Sequence, residues 1–311
     1  MGVDLRRMAS MRAFDEPSLG IRESFVQPSI GGGRTVGVVS TPTQTTPSMG
    51  WVICHSFALE HTFLQPFETS LARRLAGSGV AVMRFHAQGY GDSEFGAETI
   101  SVHSHVQNAM DAAGVLAETM SLDRVGFLGL RLGGTIAALA ADGSRAAGLM
   151  AIAPVVRGGP YIRATIRQVK LTELAMGEQF EKDPPSPSVS SDITDVGGFP
   201  LRQEVVDEFA SVDVAEGLRS FRGASLVLQV SRSPKPEQDI QRLVATLQRL
   251  GGTCDLEVLA HPTAPKFGLP RLHSSRRGYK EDTQSELAEA METRVLAWSA
   301  GQESTRTEAL H

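Results

Sequence analysis

Glycines bracket an arginine in the run Gly129-Leu130-Arg131-Leu132-Gly133-Gly134. The spacing Gly-x-Arg-x-Gly suits a sharp turn from a strand into a helix, because glycine lets backbone segments approach without a Cβ between them. Such a turn lifts its central residue onto the top of a sheet, beside a helix N-terminus that favours negative charge. A serine there would be a nucleophile. Arg131 instead carries a guanidinium that is always charged and has no acceptor, so it cannot attack a carbonyl, but it can hold a carboxylate or phosphate by two parallel hydrogen bonds. Two readings follow: Arg131 is a hook for a substrate anion, or a plug paired permanently with an internal acid such as Glu60 or Asp92.

Other chemistry-bearing residues gather on two loops. His55, Ser56, Phe57, Glu60 and His61 follow the short apolar run Trp51-Val52-Ile53-Cys54. Glu60 and His61 are candidates for acid–base groups above Arg131, against a solvated loop face as the alternative. His86 and Asp92 belong to the glycine-punctuated loop His86 to Ser93, where Asp92 is expected to cap the turn. His103 and His105 form an H-x-H pair without a third ligand nearby, too little to call for a metal. Cys54 and Cys254 are the only cysteines; they read as reduced thiols beside strands, Cys54 as a small buried hydrophobe.

The elements that must position these groups alternate. An antiparallel hairpin is expected from Ser24–Pro28 and Thr35–Ser40 around Gly31-Gly32-Gly33. Apolar strands follow at Trp51–Cys54, Val80–Phe85, Arg124–Leu128, Gly148–Ala153, Ser225–Val230 and Leu256–Ala260. Helical spacing appears at Phe63–Gly77, Ser104–Met120, Gly134–Ala141, Pro236–Gly251 and Lys280–Trp298. Strands that alternate with helices imply a mostly parallel central sheet covered on both faces. The rhythm breaks after Pro154. Residues 155–218 hold a basic helical stretch, Tyr161–Leu171, a proline- and serine-rich linker and a short helix at Gln203–Phe209, as a small helical cap over a site would. The expected organisation is a tail at 1–20, core at 21–154 and 219–298 around the cap, and a second tail at 299–311.

With 311 residues, 41% of them hydrophobic, the chain can bury one large core. A formal net charge of −5 gives no basic field for nucleic acid. No apolar run approaches the roughly 20 residues that cross a bilayer, and the N-terminus lacks the apolar middle of a signal peptide, so a cytoplasmic location is expected. There is no phosphate-binding glycine fingerprint and no paired metal motif; no cofactor and no metal are called for.

Taken together, the chain resembles the α/β-hydrolase superfamily over roughly residues 22 to 298, in its serine aminopeptidase-like branch. It is most similar there to exosortase A system-associated hydrolases of the type whose elbow reads Gly-Leu-Arg. The resemblance rests on His55-Ser56-Phe57-Ala58-Leu59-Glu60, Gly89-Tyr90-Gly91-Asp92-Ser93, Gly129 to Gly133, Leu228-Gln229-Val230-Ser231-Arg232-Ser233 and the cap piece Gly197-Gly198-Phe199-Pro200-Leu201. It implies an α/β-hydrolase fold, and an oxyanion hole made by the His55 loop and the Leu132 N–H. It also implies a histidine after the last strand, for which His261 and His273 are the candidates.

The chain departs from the superfamily's pattern at two places. Arg131 replaces the serine, and Ser231, Arg232 and Ser233 stand where an acid orients the histidine, so the Ser-His-Asp triad is absent.

The leading expectation is an enzyme without that triad, acting on an acyl or carbonyl substrate with an anionic group by hydrolysis, elimination or cyclisation. Arg131, His55, Glu60 and His261 or His273 are the candidate catalytic groups; Ser56, Phe57, Leu132, Arg163 and Arg167 are candidates for substrate binding. The cap cations Arg157, Arg163, Arg167 and Lys170 would attract a small-molecule substrate, free or tethered to a carrier. Two alternatives stay open: a non-catalytic relative that binds a ligand or a partner protein, and a hydrolase with a displaced nucleophile, with Ser56 the nearest hydroxyl.

Overall fold

Runs such as Gly50–Cys54 and Gly148–Ile152 are buried at every residue, the pattern of strands covered on both faces. The computed structural model describes residues 12–176, 193–196, 199–264 and 282–309. Its main sheet contains β1 (Ala13–Glu16), β2 (Ile21–Val26), β5 (Gly37–Pro42), β6 (Gly50–Cys54), β7 (Ala81–Phe85), β8 (Val125–Leu130), β9 (Gly148–Ile152), β12 (Ala224–Ser231) and β13 (Cys254–Ala260). The spatial order is β1-β2-β5-β7-β6-β8-β9-β12-β13. Neighbours from β7 to β13 pair in parallel, whereas β1, β2 and β5 form an antiparallel flank. Two short ladders lie outside it: β3 (Ser29–Ile30) with β4 (Gly33–Arg34), and β10 (Ile193–Asp195) with β11 (Pro200–Arg202).

Alternate residues of each central strand face opposite helical layers. Val52, Phe127, Leu149 and Val227 share one cluster with α2 (Val102–Met120), α3 (Leu132–Asp142) and α7 (Gln238–Arg249). Trp51, Ile53, Leu128 and Met150 share the other with α1 (Ala58–Gly77) and α8 (Asp282–Ala309). In α7 the buried residues Ile240, Leu243, Val244 and Leu247 keep the helical repeat that turns one face inward. Between β9 and β12 the chain leaves the sheet for α4 (Gly158–Met176), the β10–β11 ladder, α5 (Gln203–Ser211) and the short α6 (Val214–Gly217). No helix of the described residues is long and apolar enough to cross a membrane.

Three expectations need correcting. Residues 13–16, placed in a tail by the sequence, pair with β2 as an edge strand. The closing helix continues past Trp298 to Ala309. Most consequential for the site, α1 begins at Ala58 rather than near Phe63, running through Pro66. A proline reads as a first-turn residue, but the helix starts earlier because Ala58 takes φ 52° and its N–H is bound by the Tyr90 hydroxyl at 2.9 Å. Glu60 and His61 therefore stand in a helical first turn, with fixed directions.

Candidate active-site cleft

The turn between β8 and α3 places Arg131 at φ 55°, ψ −124°, a backbone conformation that a side chain with a Cβ rarely adopts. Glycine makes it feasible. A Cβ on Gly129 would run into the Gly133 backbone, and one on Gly133 into the Cys54 carbonyl oxygen. The turn is pinned by Arg131 N–H to the Ile152 carbonyl at 3.0 Å and by Val155 N–H to the Arg131 carbonyl at 3.2 Å. Ala58 and Ala153 also have positive φ, 52° and 44°; both flank the elbow, so backbone strain gathers around one guanidinium, as it does at functional sites.

Arg131 lines a cleft of about 410 Å³ at the carboxyl ends of β8, β9 and β12, with Ala153, Gln229, Ser231, Arg232, Glu237 and Ala264 among its walls. Crevices of this kind are where open α/β sheets bind ligands. Within it, Arg131 Nε donates to Glu60 Oε1 at 3.1 Å, and Nη1 donates to the Ala153 carbonyl at 3.4 Å. Glu60 Oε2 accepts from the Tyr161 hydroxyl at 2.8 Å, and the Arg131 guanidinium carbon lies 5.8 Å from the Tyr161 ring centroid, within cation–π range. Burial works against the charge on Arg131, but the charge and hydrogen bond of Glu60, together with Tyr161 and Glu237, hold the guanidinium above its ordinary pKa. Burial, and then the charge of Glu60, push the Tyr161 phenol well above its ordinary range, so it remains a donor. No acceptor is assigned to Nη2 of Arg131 among the described residues.

Of the two internal acids weighed for Arg131, the structure selects Glu60. Asp92 lies elsewhere: its N–H donates to His86 Nδ1 at 3.0 Å, and its side chain is 74% exposed rather than capping the turn. Leu132 is the first residue of α3, so its N–H has no partner within the helix. Ser56 is wholly buried. Its hydroxyl donates to Glu68 Oε1 at 3.0 Å, and the Leu130 carbonyl lies at 3.4 Å, so it is presented neither to the cleft nor to a reagent. Phe57 is buried too, packed on Phe209 and Phe199 at 4.7 and 6.2 Å.

His55 is not among the residues that line the Arg131 cleft. Its Nδ1–H donates to the Ser56 carbonyl at 2.8 Å, and its ring lies against His61 and Tyr90. His261 follows β13, with its Nδ1 accepting from Thr263 N–H at 3.3 Å; Ala264, three residues on, reaches the cleft wall. Thr263 Oγ1 lies 2.7 Å from the same Nδ1, so a threonine stands where an acid would orient the histidine in a triad. His273 lies outside the described residues. Arg163 and Arg167 are exposed on α4 and are not among the cleft's walls, and Arg157 is paired with Asp239 at 2.8 Å.

Sequence reasoning missed Tyr161 and Glu237. Tyr161 stood only as the start of a cap helix, although it is one of three tyrosines in the chain and a buried phenol seeks a partner. Glu237 immediately precedes α7 and lines the cleft.

No family model matches this chain, and no curated protein sequence matches it either. Among solved structures it is similar to Est1E from Butyrivibrio proteoclasticus with bound ferulic acid, at 16% identity and TM-score 0.57, over 88% of this chain and 99% of that one. The Pyrococcus furiosus esterase Pf2001 gives 12% identity and TM-score 0.57 over 81% and 87%. Brefeldin A esterase, described as a bacterial homologue of human hormone sensitive lipase, gives 18% and 0.51 over 96% and 82%. With this strand order, an elbow between β8 and α3 and these structural likenesses, the chain has the α/β-hydrolase fold.

Proposed function

We propose that this chain is an α/β-hydrolase-fold enzyme that has left serine-nucleophile catalysis and acts on an acyl or carbonyl compound carrying an anionic group. The observation behind this is the placement of the Arg131 guanidinium: held at a strained elbow, in an open cleft, with one edge fixed by Glu60 and Ala153 and no acceptor for Nη2 among the described residues. A carboxylate or phosphate of the substrate, or a developing enolate or oxyanion, would take that second edge. The Leu132 N–H and the His55 loop would add backbone donors, and His261 or His273 would move protons once the substrate is bound. Water attack, β-elimination and cyclisation all fit these parts. The exposed cap cations Arg163 and Arg167 would steer the anionic group of such a substrate, free or tethered to a carrier.

One observation favours a second reading. Glu60 satisfies both Arg131 and Tyr161, and this closed set of three would equally suit a non-catalytic relative that binds a ligand or partner. Reaction with a fluorophosphonate, read by mass spectrometry, tests the departure from serine chemistry common to both readings. No stoichiometric adduct is expected; a labelled serine lost on denaturation would overturn it.

A further inference from the structure

The loop after β12 is built around one buried amide. Gln229, 2% exposed, donates from Nε2 to Ser231 Oγ at 2.8 Å and to the Lys235 carbonyl at 3.1 Å, while its Oε1 accepts the Glu237 N–H at 2.8 Å. The Ser231 hydroxyl donates onward to the Ser233 carbonyl at 2.7 Å. Both ends of the loop are thus fixed to the strand by a side chain that spends its donors and its acceptor there.

This arrangement brings two charged side chains to the wall of the Arg131 cleft without giving either a partner. Arg232 and Glu237 both line the cleft and both are exposed, and neither side chain makes a hydrogen bond or an ion pair with a described residue. Glu237 holds the N-cap position of α7, where an acidic side chain can take up a free N–H of the first turn, yet it makes no such bond.

The charges lie close to Arg131. The Ala153 N–H donates to the Leu228 carbonyl at 2.7 Å, which sets Ala153, whose carbonyl accepts from Arg131 Nη1, beside Gln229, whose amide holds Glu237. The Glu237 carboxylate is accordingly one of the charges that favour the Arg131 guanidinium, although the two form no ion pair. The Arg131 side chain keeps 29% of its surface open.

The cleft therefore presents unspent charge of both signs: the Arg232 guanidinium with the free edge of Arg131, and the Glu237 carboxylate. A simple carboxylate on the two guanidinium groups would face Glu237, and a simple cation on Glu237 would face Arg131 and Arg232. A molecule with an anionic and a cationic end meets both demands.

We propose that the Arg131 cleft selects a zwitterionic substrate of the amino-acid class, with its carboxylate on Arg131 Nη2 and Arg232 and its ammonium group on Glu237. The proposal rests on the reading of this cleft as an anion site and adds the amino group to it.

The test is an NMR titration of ¹⁵N-labelled protein at neutral pH, read at the Arg131 Nε–H and the Glu237 amide. The probes are glycine, β-alanine and γ-aminobutyrate, each compared at equal ionic strength with the carboxylate that lacks the amino group: acetate, propionate and butyrate. At least one amino acid should bind about tenfold tighter or more than its counterpart, as one added charge-assisted hydrogen bond provides. Glu237→Gln should bring that ratio to about one, weakening the amino acid and leaving the carboxylate as it was or tighter, whereas Arg232→Ala should weaken both. Both changes are at exposed loop positions. Saturable binding of the carboxylates with no amino acid preferred, or a preference that survives Glu237→Gln, would overturn this proposal and leave the anion site standing. No saturable shift with any of these compounds would overturn it together with a carboxylate site on Arg131.

Discussion

At the residue scale, the titrating groups behind the elbow make opposing demands on stability. His55, His61 and His105 sit at about 3, 4 and 3 in the fold, chiefly through burial, against an ordinary 6.5. Each therefore binds its proton only on unfolding between those values, and its stabilising contribution, complete above pH 6.5, is lost as pH falls. Glu68 behaves in reverse: burial lifts it from 4.5 to about 7, so the fold holds a proton there that the unfolded chain releases, and stability declines as pH rises towards 7. Between pH 4.5 and 6.5 the histidines outnumber Glu68, so urea melts should show stability rising with pH, by on the order of 2–3 kcal/mol per unit. The rise should flatten near pH 7, and Glu68→Gln should steepen it, because the one opposing proton is removed. Stability independent of pH across this range would contradict the placement of these groups.

Of these residues, the sequence made Arg131 and Glu60 visible as a possible pair, because a buried guanidinium needs an acid. It could not choose between Glu60 and Asp92. That choice depends on the helical turn that aims Glu60, and on the Tyr161 hydroxyl arriving from a segment 101 residues away.

At the element scale, the elbow is held by close backbone approach, which makes it sensitive to a single methyl group. Gly133→Ala would push a Cβ into the Cys54 carbonyl, forcing α3 away from β6 and lowering stability by about 3 kcal/mol or more in a urea melt. Gly114, exposed inside α2 with no atom within 4 Å of a built Cβ, provides the contrast. Gly114→Ala should stabilise by up to about 1 kcal/mol through helix propensity alone. Equal effects at the two sites would mean that the elbow is not tightly packed. The strand and helix alternation was legible because apolar runs and helical spacing are local signals. The start of α1 was not, since it rests on a left-handed Ala58 and a hydroxyl from Tyr90, and the edge strand β1 was not, since its four residues are exposed or half-buried and carry no apolar pattern.

At the scale of the whole molecule, the sheet carries the Arg131 cleft and, sharing none of its lining residues, a second space lined by His55, His61, Glu68 and Arg84. Ser56 links them physically: its hydroxyl binds Glu68 of the second space and lies 3.4 Å from the carbonyl of Leu130, the residue before Arg131. The α/β frame was readable from the order of elements, whereas the separation of the two spaces was not, because Glu60, which bonds Arg131, and His61, which lines the second space, are neighbours in sequence.

The central claim is that Arg131 offers a working anion site where a nucleophile would stand. Its most direct measurement is the thermal stability of wild type, Arg131→Ala and Glu60→Gln against a panel of carboxylates, phosphates and acyl-coenzyme A compounds, since ligand at about 100 times its Kd adds about 2.7 kcal/mol. The account predicts stabilisation of the wild type by at least one class of anion, none with Arg131→Ala, and a larger effect with Glu60→Gln, where the competing carboxylate is gone. No anion effect on wild type or Glu60→Gln, with Arg131→Ala less stable than wild type in buffer alone, would contradict it and leave Arg131 as a structural plug.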